Sequence, residues 1–486
     1  MVCLRSSSRR SSVAALRVIS RAVHHLNGEW LGDGDKDEQM NNISDKIIAT
    51  IKTQGFSFTS IKNSLFVREF LLFSSSTILY QGSRFLTALG AAKILGPGVY
   101  GLWNMLNLIL IYGSFAHLGV INAMNRDVPL FKGKRDFQRV EEIRWASLGF
   151  MFVSTIVAGA GIAVSALFVE NSVLRSSLQV MVLLFLCTQM YSYLQVYLKS
   201  DKRFYQMSYQ QCVFAAFLPV VTIPLVIVYK LPGFILGQTI AILAVSFLII
   251  VKFIHFNLRP KLDIQESIRL IKVGFPIMAV GLLYSLLTTA DRWVIASFLG
   301  VEQLGYYSLA IMVMGFLSLV PMVIAQQIYP RMAETYGRTS SYTDLKKWII
   351  RQIVMALGVT APLLVGVYFI FPLIVERFLP AYMPGITAMK IILIGLPFLS
   401  LTGGFGNFLN TVDKQVHYMA VQGFAVLINL GLNISFVKMG LGINGVAMGT
   451  ALTYVIYSIT LTLVAIRLLV IPQRSCSSRT ASRATR

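Results

Sequence analysis

Residues 92–103 read AKILGPGVYGLW, and residues 296–307 read ASFLGVEQLGYY. At a constant offset of 204, Ala92, Leu95, Gly96 and Gly101 fall on Ala296, Leu299, Gly300 and Gly305. The same offset carries Gly133-Lys134 to Gly337-Arg338, and an offset of 212 carries Asp201-Lys202 and Met207 to Asp413-Lys414 and Met419. Each match is short, but their order along the chain is preserved. The sequence therefore reads as a duplication.

The duplicated unit is membrane-spanning. Of 486 residues, 55% are hydrophobic and only 13% are charged, too few charges for a water-facing surface of that size. A spanning helix needs about 20 mainly apolar residues to cross a hydrocarbon core about 30 Å thick. Twelve such runs are predicted, at approximately 67–95, 100–124, 145–169, 177–198, 209–229, 233–254, 273–299, 304–329, 348–374, 385–411, 416–437 and 442–469. Six spans separate equivalent positions, so the halves insert with the same orientation, as a parallel repeat about an axis along the membrane normal. The expected fold is all-α and integral to the membrane: twelve transmembrane helices in two parallel six-helix repeats. The expected organisation is a leader over 1–63, a first bundle over 64–256, a cytoplasmic linker over 257–272, a second bundle over 273–471 and a basic tail over 472–486.

The net charge of +22 would suit a nucleic-acid partner if it formed one face, but the Lys and Arg residues alternate with the spans. Connections after odd-numbered spans hold only Arg175, Lys230, Arg377 and Lys438. The other side holds Arg126, Lys132, Lys134, Arg135, Arg139 and Arg144, then Lys199, Lys202 and Arg203, then Arg259, Lys261, Arg269 and Lys272. It continues with Arg331, Arg338, Lys346, Lys347 and Lys414. This asymmetry places those loops and both tails in the cytoplasm of a cell membrane and argues against nucleic acid. Residues 1–28 carry five Arg and no acid. They read either as disordered tail or as a transit peptide, and Met40 is a plausible alternative start. Cys3, Cys187, Cys212 and Cys476 have no paired spacing, so neither a disulfide nor a metal site is expected, nor any cofactor. Pro219, Pro224, Pro276, Pro321, Pro362 and Pro397 lie inside spans, as ordinary membrane-helix prolines or as hinges.

Polar residues inside spans mark the candidate pathway. In the first span Ser74, Thr77, Gln81 and Arg84 line one helix face. Arg84 lies eleven residues from Leu95, about 16 Å of helix, which is too far for comfortable snorkelling. A guanidinium there faces either a watery cavity with an anion or a satisfying ion pair. The repeat offset carries the stripe to Ser285 and Thr288, with Arg292 one turn beyond the image of Arg84. Asp291, the acidic residue well inside a span, either holds Arg84 in place or binds a coupling ion. Asn104, Asn107, Ser114 and His117 follow helical spacing on the second span, Gln189, Ser192 and Gln195 on the fourth, and Gln422, Asn429 and Asn433 on the eleventh. Such groups hydrogen-bond between helices or contact substrate, and His117 could additionally relay protons. Gly96-Pro97-Gly98 lacks the Lys-Ser/Thr of a phosphate-binding loop and reads as a turn.

At this level of detail the chain resembles the polysaccharide exporters and O-antigen-type flippases of the multidrug/oligosaccharidyl-lipid/polysaccharide flippase superfamily. LGPGVYGLWNML at 95–106 followed by Leu118-Gly119 is similar to that family's first helical pair. VGFPIMAVGLL at 273–283 and LLTTADRWVIASFLGVEQLGYYSLA at 286–310 resemble the start of its second half. The likeness covers about residues 64–470. It implies a V-shaped pair of bundles, a cationic cavity, and alternating-access transfer of a polyprenyl-diphosphate-linked glycan to the outer leaflet without covalent catalysis. Glycosyltransferases and a polymerase would be pathway partners, and the transporter itself is expected to be a monomer. A multidrug antiporter of the same superfamily would favour an acidic cavity. A membrane glycosyltransferase or sugar polymerase would need catalytic carboxylates, usually in a substantial outer loop, but the outer loops here are short and hold only Glu170, Glu302 and Glu376 as acids. A duplicated but rigid structural protein would need no midplane cations.

Overall fold

The structure, a computed structural model, describes residues 65–254, 258–339 and 341–470. The expected leader, Met40 as an alternative start and the basic tail lie outside the described residues. Among the described residues all regular structure is helical. The first half comprises α1 (Leu65–Gly113), α2 (Val120–Gly133), α3 (Phe137–Leu167), α4 (Ser172–Ser200) and α5 (Phe204–Ile249), the last continued by a π-turn (Ile250–Ile254). The second comprises α6 (Ile264–Phe298), α7 (Val301–Leu317), α8 (Leu319–Thr339), α9 (Lys346–Phe378), α10 (Ile386–Thr411), α11 (Gln415–Lys438) and α12 (Gly442–Val470). Local chemistry sets several starts. The Asp136, Asn171 and Asp263 side chains accept the free amides that open α3, α4 and α6.

Ten continuous segments are long and apolar enough to cross a membrane, where the sequence reading expects twelve spans. The difference has a physical origin at two places. Leu72–Gly113 and Phe204–Ile254 run for 42 and 51 residues, about twice the length that a hydrocarbon core requires. Each contains one non-helical residue, Gly96 (φ 71°, ψ 170°) and Lys230 (φ 53°, ψ −127°). Two expected spans thus meet at a single kinked residue rather than across a loop.

A second difference is that the expected span 100–124 is not a continuous helix. α1 ends at Gly113 and α2 begins at Val120, with Leu118 (φ 48°) and Gly119 (φ 90°) between them in left-handed backbone. α7 gives way to α8 at Ser318, which the repeat offset equates with Ser114. The halves differ here: Ser318 keeps right-handed helical backbone (φ −67°, ψ −14°) and its amide still bonds Met314 O at 3.0 Å, so the second half is not broken as the first is. Gly96 does have a backbone double: Gly300 has φ 93° and ψ 168°, a combination that a side chain would strain.

Exposed apolar side chains such as Ile156, Val157, Val220, Phe369 and Leu427 cover the outside of the bundle, as suits a lipid solvent and not water. Inside, the two halves meet backbone to backbone. A Cβ on Gly101 would strike the carbonyl of Val301, and a Cβ on Gly305 would strike the carbonyl of Pro97. The offset of 204 carries Pro97 to Val301 and Gly101 to Gly305, so the contact is reciprocal, as across a two-fold axis. A second close approach joins Gly119 to Gly274 at the far end of α6.

Candidate functional site

α1 presents two unlike sides. Leu72, Ile78, Leu79 and Leu86 are exposed and lie on one side by helical spacing. Arg84 is also exposed, yet it sits nine residues, two and a half turns, beyond Ser75 on that same side. It therefore points away from the apolar stripe. Tyr80, one turn earlier, lies under it with the guanidinium carbon 5.7 Å from the ring centroid, within cation–π range.

The rest of that stripe packs on α5. Thr77 donates to Phe73 O at 2.7 Å and to Gln211 Oε1 at 3.1 Å, and Ser76 donates to the same Gln211 oxygen at 2.8 Å. Ser74 Oγ is buried without a hydrogen-bond partner, and Gln81 is half-buried. Thr77 thus joins helices, and of the predicted α1 group Arg84 is the exposed residue.

On α6 the outcome differs by residue. Thr288 donates to its own helix carbonyls at Tyr284 and Ser285, and both Ser285 and Thr288 are half-buried. Arg292 is buried at 8% exposure. No hydrogen bond or ion pair to its side chain is present among the described residues, and its Nε is buried without a partner. Asp291 is fully enclosed and does not pair with Arg84. Its Oδ2 accepts from the Tyr307 hydroxyl at 2.8 Å and its Oδ1 from the Arg292 backbone amide at 2.8 Å. The carboxylate is satisfied by a neighbouring helix, which sequence adjacency could not reveal.

His117 lies in the break between α1 and α2, where its Nδ1 accepts from the Gly119 amide at 3.0 Å. Gln189 donates to the Gly113 carbonyl at 2.5 Å, supplying an acceptor at the helix end with the bond its own helix cannot make. Asn107 is half-buried. Asn433 donates to Asn429 at 2.8 Å and to Thr450 at 3.3 Å. Among the described residues no group of three or more His, Cys, Asp or Glu converges as a metal site would.

The sequence reading missed the contacts between the halves. Tyr112 and Thr289 share a hydrogen bond of 2.5 Å, and Trp293 donates to Tyr112 at 3.1 Å. Toward the α6 N-terminus, Arg269 bonds Asp127 at 3.0 Å and Glu266 at 2.7 Å, while Arg139 bonds Glu266 at 2.5 Å and Glu142 at 3.0 Å. Inside the first half, Asp201 gathers Lys132, Arg144 and Arg203. The alternation of basic loops signalled orientation alone. The buried acids Asp127 and Asp201 among those cations were the available clue to structure.

A family model described as polysaccharide biosynthesis protein matches residues 91–382, more than half of the chain. No curated protein sequence matches. Among solved structures, an inward-facing multidrug resistance MATE family transporter of the MOP superfamily aligns at 14% identity, covering 83% of this chain and 96% of that one with a TM-score of 0.64. The lipid II flippase MurJ, in an inward closed conformation, aligns at 16% identity over 82% of this chain and 87% of that one, TM-score 0.65. A MOP superfamily transporter from Pyrococcus furiosus, whose binding pocket is described as of reverse polarity, aligns at 14% identity over 82% and 95%, TM-score 0.63. At these identities the likeness defines the fold.

Proposed function

Because the chain belongs to the polysaccharide biosynthesis protein family, we propose that it is a flippase that carries a lipid-linked oligosaccharide or polysaccharide repeat unit from the cytoplasmic to the outer leaflet. The observation that carries this reading is Arg84, exposed on the side of α1 opposite its apolar stripe. A guanidinium forms paired hydrogen bonds with phosphate oxygens, and inside a membrane it calls for an anion or water. Arg292, without an acidic partner among the described residues, adds a second cation from the repeat-related helix. A polyprenyl diphosphate supplies the complementary charge.

Transport needs no covalent step. The halves rock, the glycine contact at Gly101 and Gly305 and the ion pairs around Arg269 open in turn, and the head group passes between them. The charged loops orient the protein in the cell membrane with both termini cytoplasmic. Glycosyltransferases and a polymerase of the same pathway would supply and consume the cargo, and the working unit is a monomer. An antiporter of organic cations is disfavoured because Asp291, the buried carboxylate in the α6 pathway segment, is already bonded to Tyr307.

The test is flipping of a fluorescent polyprenyl-diphosphate glycan in vesicles holding the purified protein. Arg84→Ala should reduce the rate at least about tenfold, consistent with losing one charge-assisted phosphate contact, and Arg84→Lys should restore part of it. Full flipping by Arg84→Ala at equal protein content would refute the reading.

A further inference from the structure

α4 carries a polar stripe that runs to its C-terminal end. Thr188, Ser192, Gln195 and Lys199 follow one another at steps of four, three and four residues, which keeps them on one side of the helix. Thr188 and Ser192 donate to carbonyls of their own helix, at Leu184 and Thr188. Thr188, Ser192 and Gln195 are half-buried, and Lys199 is exposed.

This side of α4 is not the side that faces lipid. Leu183, exposed on the outside, stands sixteen residues before Lys199, about four and a half turns, so the two side chains point in nearly opposite directions. Near Lys199 the Leu183 side is itself covered: Leu194, Tyr197 and Leu198 are buried there, and the Tyr197 ring lies 4.1 Å from the guanidinium of Arg144 on α3. Lys199 is open to solvent yet has protein on most sides, as a residue on the wall of a recess has. A chain of contacts ties this side to Arg84. Tyr191, one turn from both Thr188 and Gln195, lies 6.2 Å from Phe214 of α5, Phe214 lies 5.0 Å from Tyr80, and Tyr80 underlies the Arg84 guanidinium. Lys199 stands eight residues beyond Tyr191, about 12 Å along the helix.

The second half shows the same stripe put to packing alone. The offset of 212 carries it to Ser400, Gly404, Asn407 and Thr411 on α10. Asn407 there donates to Ala325 O at 2.9 Å and to Gln352 Oε1 at 3.0 Å, Thr411 donates to Asn407 O at 2.7 Å, and Ser400 donates to Leu396 O at 3.0 Å. In the first half the Gln195 amide nitrogen has no hydrogen-bond partner, and a lysine stands where the second half has a threonine. Asp201, two residues after Lys199, gathers Lys132, Arg144 and Arg203, whereas Lys199 makes no ion pair among the described residues. Residues two apart on a helix do not face each other, so Lys199 is turned away from that network. An exposed lysine at a helix end is ordinary by itself. Lys199 differs in taking the side connected to Arg84 and in replacing a packed residue of the repeat.

We infer that Lys199 is the receiving cation of the passage: it captures the phosphate groups of the cargo at the cytoplasmic mouth, before they reach Arg84. This inference rests on the flippase reading, which puts the C-terminal end of α4 in the cytoplasm, and it adds a step to that reading. A lysine ammonium is a hydrated, mobile point charge that suits first capture, whereas the planar guanidinium of Arg84 suits the fixed, paired contacts of a held diphosphate. A charge at a mouth acts chiefly on the rate of association and is screened by salt.

The experiment measures flipping of the fluorescent polyprenyl-diphosphate glycan by the purified full-length protein in phosphatidylcholine vesicles, over a range of cargo and salt concentrations. Lys199→Gln should raise the half-saturating cargo concentration about three- to tenfold at low salt, change the maximal rate less than about twofold, and flatten the salt dependence. Lys199→Arg should restore both properties. Lys202→Gln, which removes the same charge from the turn after α4 but off the stripe, should behave as the unaltered protein. These vesicles hold no anionic phospholipid, so a shift seen in them comes from the cargo. A shift that appears only once phosphatidylglycerol is added would assign Lys199 to a lipid head group and overturn the inference. Unchanged half-saturation in Lys199→Gln, or an equal shift in Lys202→Gln, would overturn it as well, and each of these results leaves the flippase reading in place. Failure of the unaltered protein to flip the cargo overturns both.

Discussion

Arg269 of α6 reaches Asp127 of α2 at 3.0 Å, an ion pair that joins the first helix of the second half to the first half. Asp127 is buried and Arg269 is about one-third exposed, so solvent screens one partner and shields the other. Glu266 and Arg139 extend the pair into a chain of four charges across the same boundary.

Breaking that pair should loosen this end of the interface without unfolding either half. Arg269→Ala leaves the Asp127 carboxylate without its partner and is expected to cost about 1–2 kcal/mol of contact between the halves. Asp127→Asn should cost less, because no buried charge is stranded. Hydrogen exchange of the α2 and α6 amides would register faster opening, in that order of severity. Equal exchange in both variants and the parent would show that the pair bears no load.

At the other contact the expected effect is steric. Gly305→Ala places a methyl group against the Pro97 carbonyl, and neither backbone can yield without separating α1 from α7. The cost should be about 3 kcal/mol against the state seen here. A cysteine at position 98 should accordingly become more reactive to a membrane-impermeant thiol reagent. Gly101→Ala, the repeat-related change, should behave alike.

Tyr307→Phe removes the hydroxyl that bonds Asp291 and leaves that carboxylate with the Arg292 amide alone. Hydrogen bonds to buried charged groups are worth about 1.5–3 kcal/mol, so a lowered melting temperature is expected. Adding Asp291→Asn should recover part of the loss, because the amide carries no charge to strand. A double variant no more stable than Tyr307→Phe would remove this account.

Arg292 separates charge from packing. Arg292→Met keeps most of the buried stem, so the protein should remain folded, while binding of polyprenyl diphosphate should weaken about tenfold. Parallel measurement of melting and binding distinguishes the two roles. A variant that melts early yet binds normally would make Arg292 a structural residue.

Much of this architecture is legible in the primary structure because lipid imposes a simple rule on length and hydropathy. The repeat is legible because Gly96 and Gly300 each occupy backbone that other residues resist. Side-chain partnership is less accessible. Asp291 finds Tyr307 sixteen residues later, a distance that follows from how α7 folds back on α6 and not from any helical period. The interruption between Gly113 and Val120 was hidden for a similar reason. Its free carbonyl is answered by Gln189 of α4 and its left-handed Gly119 is set against Gly274, both tertiary events. Arg84 could be singled out from the cost of its charge.

The reciprocal packing of Gly101 on Val301 and of Gly305 on Pro97 has an implication for ancestry. An interface whose two faces are the same surface requires only one kind of subunit, so two separate copies of a single half could have assembled through it before their genes were joined. The fused chain then gained freedom that a homodimer lacks: one half could keep its arginine at position 84 while the other moved its own to position 292. Symmetry supplied the frame, and fusion allowed the two walls of the passage to diverge.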